Sequence, residues 1–208
     1  MSLLDQLSAY KANVTPILEY FSSRGISKES IQTFELGYCQ DGSQFHGRLM
    51  IPICSPEGDL IGFGGRSLGD ENPKYINSPE SSVYKKGRVL YGLNLSQDFI
   101  LESGTAIVVE GFFDVIGLWQ VGIRNVVATC GTAFTKNQLR LLKRFAEEVV
   151  VCYDGDSAGR SAAERAIEGL ASEKLPMRFV SMPSGVDPDE FVRINGRDAF
   201  LGLMEGIN

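Results

Sequence analysis

Three carboxylates in the second half of the sequence have the spacing of a metal-binding site. Glu110 ends one apolar run, and Asp154 and Asp156 follow another. A glycine comes directly after Glu110 and after Asp154, which lets the chain turn sharply and lets a ligand approach the backbone. Carboxylates gathered at one place repel each other, and all-oxygen ligands select a hard cation such as Mg²⁺, for which Mn²⁺ can substitute. These residues therefore predict metal-assisted chemistry.

A parallel sheet would bring these carboxylates together. From Thr105 onward, apolar β-rich runs alternate with helix-like segments, which predicts an α/β fold with a mainly parallel sheet covered by helices. The predicted strands are 105–110, 125–129, 148–153 and 177–181. The predicted helices are 112–121, one that begins after a capping box at Thr135 and Gln138, and 157–172. Ligands bind beyond the carboxyl ends of such strands, so the carboxylates converge if their strands are neighbours.

A simpler explanation exists for two of the three carboxylates. Asp154 and Asp156 alone could cap the next helix, because acidic residues favour the positive end of the helix dipole. The matching Glu-Gly pair on another strand favours metal binding instead. Three further carboxylates are available nearby: Asp114, Asp187 and Asp189.

The first hundred residues differ in pattern from the rest. A short helical segment around 17–24 precedes glycine-punctuated β-like runs such as 49–54 and 60–63. We expect three parts: a smaller mixed α+β subdomain over 1–103, the α/β domain over 104–183, and an acidic turn with a short helical tail over 184–208.

The composition excludes several classes of protein. The 208 residues carry a net charge of −6 and are 43% hydrophobic, which suits a packed core and argues against coating nucleic acid by bulk charge. No run approaches the roughly 20 apolar residues of a membrane span, so we expect a cytoplasmic protein with no membrane contact. The four cysteines show no CxxC or Cys/His pairing, and no zinc site is expected.

Longer sequence segments around the carboxylates resemble those of a known family. IVVEGFFDV followed by VVVCYDGDSAGRSAA is similar to the toprim motif shared by bacterial primases, topoisomerases and some nucleases. The phrases IGFGGRSLGDENPKYINSPESSVYKKGRVLYGL, ATCGTAFT and MPSGVDPDEFV look like the surrounding stretches of bacterial DnaG-type primases. The resemblance covers nearly everything from 48 to 200, and more loosely 20–38.

This resemblance implies a toprim-type fold and the synthesis of RNA primers on single-stranded DNA from ribonucleoside triphosphates during DNA replication. It implies that Glu110, Asp154 and Asp156 are catalytic. It also implies that a larger set holds Mg²⁺ or Mn²⁺: Glu110, Asp114, Asp154, Asp156, Asp187 and Asp189. Two such ions can activate a 3′-hydroxyl and stabilise the leaving pyrophosphate. A replicative helicase would be a partner through a region outside these residues.

A locally basic stretch is the candidate for template binding. Between Arg66 and Arg88, five basic side chains stand against three acidic ones, an excess small enough to belong to a solvated loop. The resemblance implies a template-gripping set: Arg24, Arg66, Lys74, Asn77 and Lys86. Tyr75 and Tyr84 lie among these charges, and we expect both rings to pack against the protein rather than stack on bases.

Two other functions would use the same features. A toprim nuclease would need the same carboxylates, but it does not account for the primase-like phrases PKYINSP and YKKGRVLYGL. A DNA-binding accessory module without synthesis would have no reason to keep the carboxylates together.

Between Tyr38 and Arg48 the chain has only CQDGSQFHG, where the family usually inserts a longer helical segment. We therefore expect a trimmed amino-terminal subdomain.

Overall fold

The computed structural model describes residues 2–69, 71–129, 131–156, 161, 166, 168 and 171–206. The chain separates into two compact units, residues 1–84 and residues 85–208. Each unit contains one four-stranded sheet. Within the described ranges, every helix is too short or too polar to cross a bilayer.

An antiparallel sheet organises the first unit. Its spatial order is β1-β2-β3-β4, with strands Gly37–Tyr38, Arg48–Cys54, Leu60–Ser67 and Tyr75–Asn77. The helices of this unit are α1 (Leu3–Ala12), α2 (Leu18–Ser23) and α3 (Lys28–Thr33), with a 3₁₀ turn at Thr15–Ile17. The predicted mixed α+β character of this part is confirmed.

Two features of this unit go beyond the sequence-based expectation. Helix α1 begins at a capping box in which Ser2 and Asp5 bond each other's backbone N–H groups, a local signal rather than a strong apolar stripe. Strand β3 runs to Ser67 instead of ending near residue 63, because its glycines are covered by packing. A Cβ atom at Gly65 would lie 2.6 Å from the ring of Phe45.

A parallel sheet organises the second unit, as predicted. Its spatial order is β6-β5-β7-β8, with strands Thr105–Val109 (β5), Val126–Ala128 (β6), Glu148–Tyr153 (β7) and Met177–Ser181 (β8). The central strands are almost wholly buried. Parallel strands covered on both faces read as continuous apolar runs, which is why the sequence predicted them closely.

Helices and short turns complete the second unit. The helices are α4 (Leu93–Ser103), α5 (Phe112–Gln120), α6 (Lys136–Leu142) and α7 (Pro188–Glu205), and 3₁₀ turns lie at Lys86–Arg88 and Ala171–Glu173. Helix α7 is longer than the expected short tail and breaks at Gly196, where φ is 81°. The helix predicted over 157–172 lies mostly outside the described residues, although Ser161, Ala166 and Glu168 are helical.

Helix α4 explains where the compact units divide. Leu93 and Ile100 of this helix are fully buried in one cluster with Val108 and Val151 of the parallel sheet. The segment before β5 therefore packs with the second unit, and the compact units divide at 84/85. The three parts expected from the sequence, 1–103, 104–183 and 184–208, stay a prediction.

Strand β5 is the point at which the chain changes direction across the parallel sheet. The strand that follows it in sequence, β6, pairs on one side, and β7 pairs on the other. Such a switch point opens a crevice beyond the carboxyl ends of the strands. Residues directly after β5 and β7 therefore occupy the position at which α/β sheets bind ligands.

Candidate active site

Glu110 and Asp154 lie side by side at this switch point. Their strands are paired in parallel from Thr105 opposite Glu148 to Val108 opposite Val151, so the residues after them emerge together. The backbone N–H of Asp154 donates a hydrogen bond to Glu110 Oε1 at 3.3 Å. The structure thus brings these two carboxylate residues together, while their catalytic role stays a prediction.

The turn between Asp154 and Asp156 requires its glycine. A Cβ atom at Gly155 would lie 2.0 Å from the carbonyl oxygen of Pro183 and 2.4 Å from that of Met182. Real Cβ atoms do not approach backbone this closely, so any larger residue would push the turn away from the chain that follows β8. Gly155 therefore fixes where the two aspartates stand.

Burial and negative charge act on Glu110. Its side chain is half-buried, and burial raises the pKa of its carboxyl group. The Asp154 N–H opposes that pKa shift, while the negative charge of Asp156 adds to it. A nearby cation would favour the ionised form of Glu110.

Asp114 is the most confined carboxylate of the group. It lies in the first turn of α5 with 6% of its surface exposed, and its Oδ2 accepts a hydrogen bond from Gly111 N at 2.8 Å. Burial is the main cause that raises its pKa well above the ordinary value, followed by the negative charge of Asp187. Asp154 and Asp189 act in the same direction, and the Gly111 N–H opposes them.

The start of α7 brings two further carboxylates to α5. Asp187 caps α7, with its Oδ1 accepting from Glu190 N at 2.7 Å. Asp189 is 5% exposed and lies against Gly117 of α5, where a Cβ atom would be 2.4 Å from Asp189 Oδ1. Gly117 therefore lets the two helices approach closely enough to seat Asp189.

The donor set of this region fits a hard divalent cation. In the part of the chain that the structure describes, no three Asp, Glu, His or Cys side chains are grouped closely enough to hold one metal ion. Burial is the main cause that raises the pKa of Glu110 and of Asp114, and the negative charges of neighbouring aspartates add to it. A divalent cation would relieve that repulsion, and carboxylate oxygens are the ligands that Mg²⁺ and Mn²⁺ prefer.

One tyrosine of the first unit, Tyr20, contacts two arginines. The guanidinium carbon of Arg66 lies 5.4 Å from the ring centre of Tyr20 and 5.1 Å from that of Tyr75. Arg66 also donates to the Tyr75 hydroxyl, and Arg24 Nε donates to the Tyr20 hydroxyl at 3.2 Å. Sequence reasoning missed Tyr20, although its position four residues before Arg24 was an available signal.

The exposure of the predicted template residues varies widely. Arg66 is only 8% exposed, whereas Lys74 is exposed on the connection before β4. The buried Arg48 donates to the carbonyl oxygens of Pro73 at 3.0 Å and Lys74 at 3.5 Å, which fixes the backbone that carries the lysine. Asn77 of the same unit and Lys86 of the second unit are partly exposed.

The two tyrosines expected to pack against the protein both do so. Tyr84 is 1% exposed, and Tyr75 stacks on Arg66. As the structure stands, neither ring is presented as an open stacking platform for a base.

Comparison with known proteins identifies the family. Residues 107–192 match the Toprim-like family model, and residues 41–97 match the model of the DNA primase catalytic core, N-terminal domain. The DNA primase of Clostridium acetobutylicum is 40% identical over 219 residues, which cover 90% of this chain and 37% of the relative. A DNA primase domain from Pseudomonas aeruginosa matches with a TM-score of 0.90 and 34% identity, covering 98% of this chain and 77% of that one.

A solved DnaG primase catalytic domain bound to single-stranded DNA is equally similar. Its TM-score is 0.89 at 35% identity, with 97% of this chain and 78% of that chain covered. A Toprim-like parallel sheet preceded by this antiparallel unit defines a primase catalytic core. The chain belongs to the bacterial DnaG-type DNA primase family. It spans less than half the length of the curated relative.

Proposed function

We propose that the chain synthesises short RNA primers on single-stranded DNA by metal-dependent nucleotidyl transfer from ribonucleoside triphosphates. The observation that carries this proposal is the pairing of Glu110 with Asp154 at the switch point of a primase-type parallel sheet. The similarity to a primase domain solved with single-stranded DNA supports the choice of template. As an enzyme of DNA replication, the protein would act in the cytoplasm. A replicative helicase would be its partner through a region outside these residues.

The carboxylates would act by holding Mg²⁺ or Mn²⁺. Glu110, Asp154 and Asp156 would be the central ligands, and Asp114, Asp187 and Asp189 would complete the acidic set. A bound ion would supply Lewis acidity and neutralise charge on the reacting phosphate. The chain itself orients the ligands in advance, because the Asp154 N–H holds Glu110 and the Gly111 N–H holds Asp114.

The template would be held by basic side chains with different tasks. Lys74 is exposed and would contact phosphate directly, whereas the buried Arg66 would support Arg24 through Tyr20. Lys86 would also contact the phosphate backbone of the DNA, and Asn77 would add a polar contact. Phosphate contacts carry no sequence information, so we expect weak binding without selection of a start site. A dissociation constant on the order of 10⁻⁴ to 10⁻⁶ M is typical of such non-specific binding at physiological salt.

One experiment separates this function from its alternatives. The chain is incubated with single-stranded DNA, labelled ribonucleotides and Mg²⁺ or Mn²⁺, and DNA cleavage is followed in a parallel reaction. We expect ribonucleotide incorporation that a chelator abolishes, with intact DNA. Cleavage without incorporation would establish a toprim nuclease, and DNA binding without either reaction would establish an accessory module.

A further inference from the structure

The Gln138 side chain does more than cap a helix. It is fully buried, and its Oε1 accepts from Thr135 N at 2.9 Å, as the capping box of α6 predicts. Its amide nitrogen donates to the carbonyl oxygens of Lys86 at 3.1 Å and Val89 at 2.8 Å. These two bonds reach a segment far earlier in the chain.

Thr135 has the same double role. Its Oγ1 accepts from Gln138 N at 3.2 Å, which completes the cap, and it donates to the carbonyl oxygen of Gly87 at 2.6 Å. The two side chains therefore bind the carbonyls of three residues in the segment 86–89. We name this arrangement the α6 clamp.

A helix cap needs only acceptors, because the free groups at a helix N-terminus are N–H donors. The three donations to residues 86–89 are thus surplus to capping α6. Their effect is to fix the backbone of the 3₁₀ turn that carries Lys86. Buried polar groups that are fully satisfied in this way specify one local arrangement.

We infer that Gln138 and Thr135 are positioning residues for template binding, acting by holding Lys86 in place. This inference rests on the proposed function, in which Lys86 contacts the DNA backbone. It extends that function to two residues that approach the DNA only through the segment 86–89.

Two substitutions separate clamping from capping. Gln138→Glu keeps the size and the acceptor of the capping box, and Thr135→Asp keeps the cap, but both remove donors to 86–89. We expect either change to make the slope of log affinity against log salt shallower by about 0.7, the value for one lost phosphate contact on single-stranded DNA. Lys86→Ala should give the same change, and combining it with Gln138→Glu should add nothing further.

The matched control is Ser2→Ala, which removes a capping box whose hydrogen bonds stay within α1. We expect it to lower the unfolding midpoint and to leave the salt slope unchanged. Thr135 is partly exposed, so its variant keeps the test available even if Gln138→Glu does not fold.

The measurement is fluorescence anisotropy with labelled single-stranded DNA over a salt series, paired with amide hydrogen exchange of residues 85–89. A shallower slope and faster exchange in the clamp variants support the inference. If Lys86→Ala flattens the slope while both clamp variants bind as the parent does, the inference is overturned and the proposed function stands. If Lys86→Ala itself has the parental slope, the template role of Lys86 is overturned, and the inference with it.

Discussion

The carboxylates of the second unit and the arginines of the first unit reach their positions by different means. Glu110 and Asp154 follow paired strands, so the topology of the sheet alone brings them together. Arg24 and Arg66 meet because one side chain, Tyr20, contacts both. The positions of the two carboxylates can be predicted once the order of the strands is known. The positions of the two arginines depend instead on the packing of a single neighbouring side chain.

The two regions also differ in how their charges are compensated. Burial and, after it, the negative charges of neighbouring acids raise the pKa of Asp114 and make its ionised form unfavourable. Arg66 is buried between two tyrosine rings, whose faces attract a cation. We therefore propose that a cation completes the acidic region, whereas the tyrosine rings stabilise Arg66 within the protein.

The largest effect should come from removing two of the central acids. We expect Asp154→Ala/Asp156→Ala to reduce primer synthesis by about 10³-fold or more, because charge at the reacting centre is then uncompensated. The control is Asp98→Ala/Asp198→Ala, which removes two exposed carboxylates of the same unit. Equal ribonucleotide incorporation by the two double variants would contradict the catalytic assignment.

Glycine substitutions compare the rigidity of the two regions. Gly155→Ala should cost about 3 kcal/mol of unfolding free energy, because backbone oxygens block its Cβ atom. Gly65→Ala should cost about 1 kcal/mol, because the ring of Phe45 can shift. Gly202→Ala, with open space around it in α7, should stabilise by up to about 1 kcal/mol. Urea denaturation measures the unfolding free energy of all three variants. Equal losses for Gly155→Ala and Gly65→Ala would contradict the expected difference in rigidity between the two regions.

Neutralising the buried side chain of Asp114 should stabilise the folded protein. Asp114→Asn keeps an acceptor for Gly111 N and removes a buried negative charge, so it should stabilise the metal-free protein by about 1 kcal/mol, roughly 2 to 4 °C. The folded-state pKa is raised, so the parent is destabilised as pH rises from the ordinary aspartate pKa towards that raised value. The gain should therefore appear at neutral pH and vanish in acid.

Asp5 is the matched control for this comparison. It also lies in the first turn of a helix and accepts from a backbone N–H, but it is exposed and its hydrogen bonds with Ser2 lower its pKa. Asp5→Asn should therefore give no stabilisation in thermal melts. A gain at Asp5 as large as at Asp114 would show that burial among acids is not the cause.

Part of this contrast was predictable from the sequence. The valine-rich runs before Glu110 and Asp154 predict parallel strands, and such strands place their carboxyl ends at one edge. The capping box at Thr135 and Gln138 was also predictable, because it depends on residues three apart. The second partners of Gln138 were not, because its bonds to 86 and 89 arise only when α6 packs on a distant segment.

Burial of Arg66 was also beyond sequence reasoning. The Gly64-Gly65-Arg66 phrase resembles a turn, and only the pairing of β3 with β4 places the guanidinium beside Tyr75. The packing of α4 against the parallel sheet was unpredictable for a similar reason, because it depends on buried contacts rather than on the helix's own pattern.

The smallest effect should come from loosening the arginine network. Tyr20→Phe removes the hydroxyl that Arg24 contacts and keeps the ring under Arg66, so single-stranded DNA affinity should fall about twofold. Tyr20→Leu also removes the ring and should weaken binding further, by about fivefold. Anisotropy titrations test the order, and identical affinities for both variants and the parent would exclude Tyr20 from template binding.

The most direct test of the central claim is the location of Mn²⁺ in crystals of the chain. Anomalous scattering after a soak identifies each ion independently of catalytic activity. We predict ions in contact with the carboxylates of Glu110, Asp154 and Asp156. Ions bound only elsewhere, or no ion at these carboxylates at millimolar Mn²⁺, would contradict the claim that the switch point of the parallel sheet is a metal site.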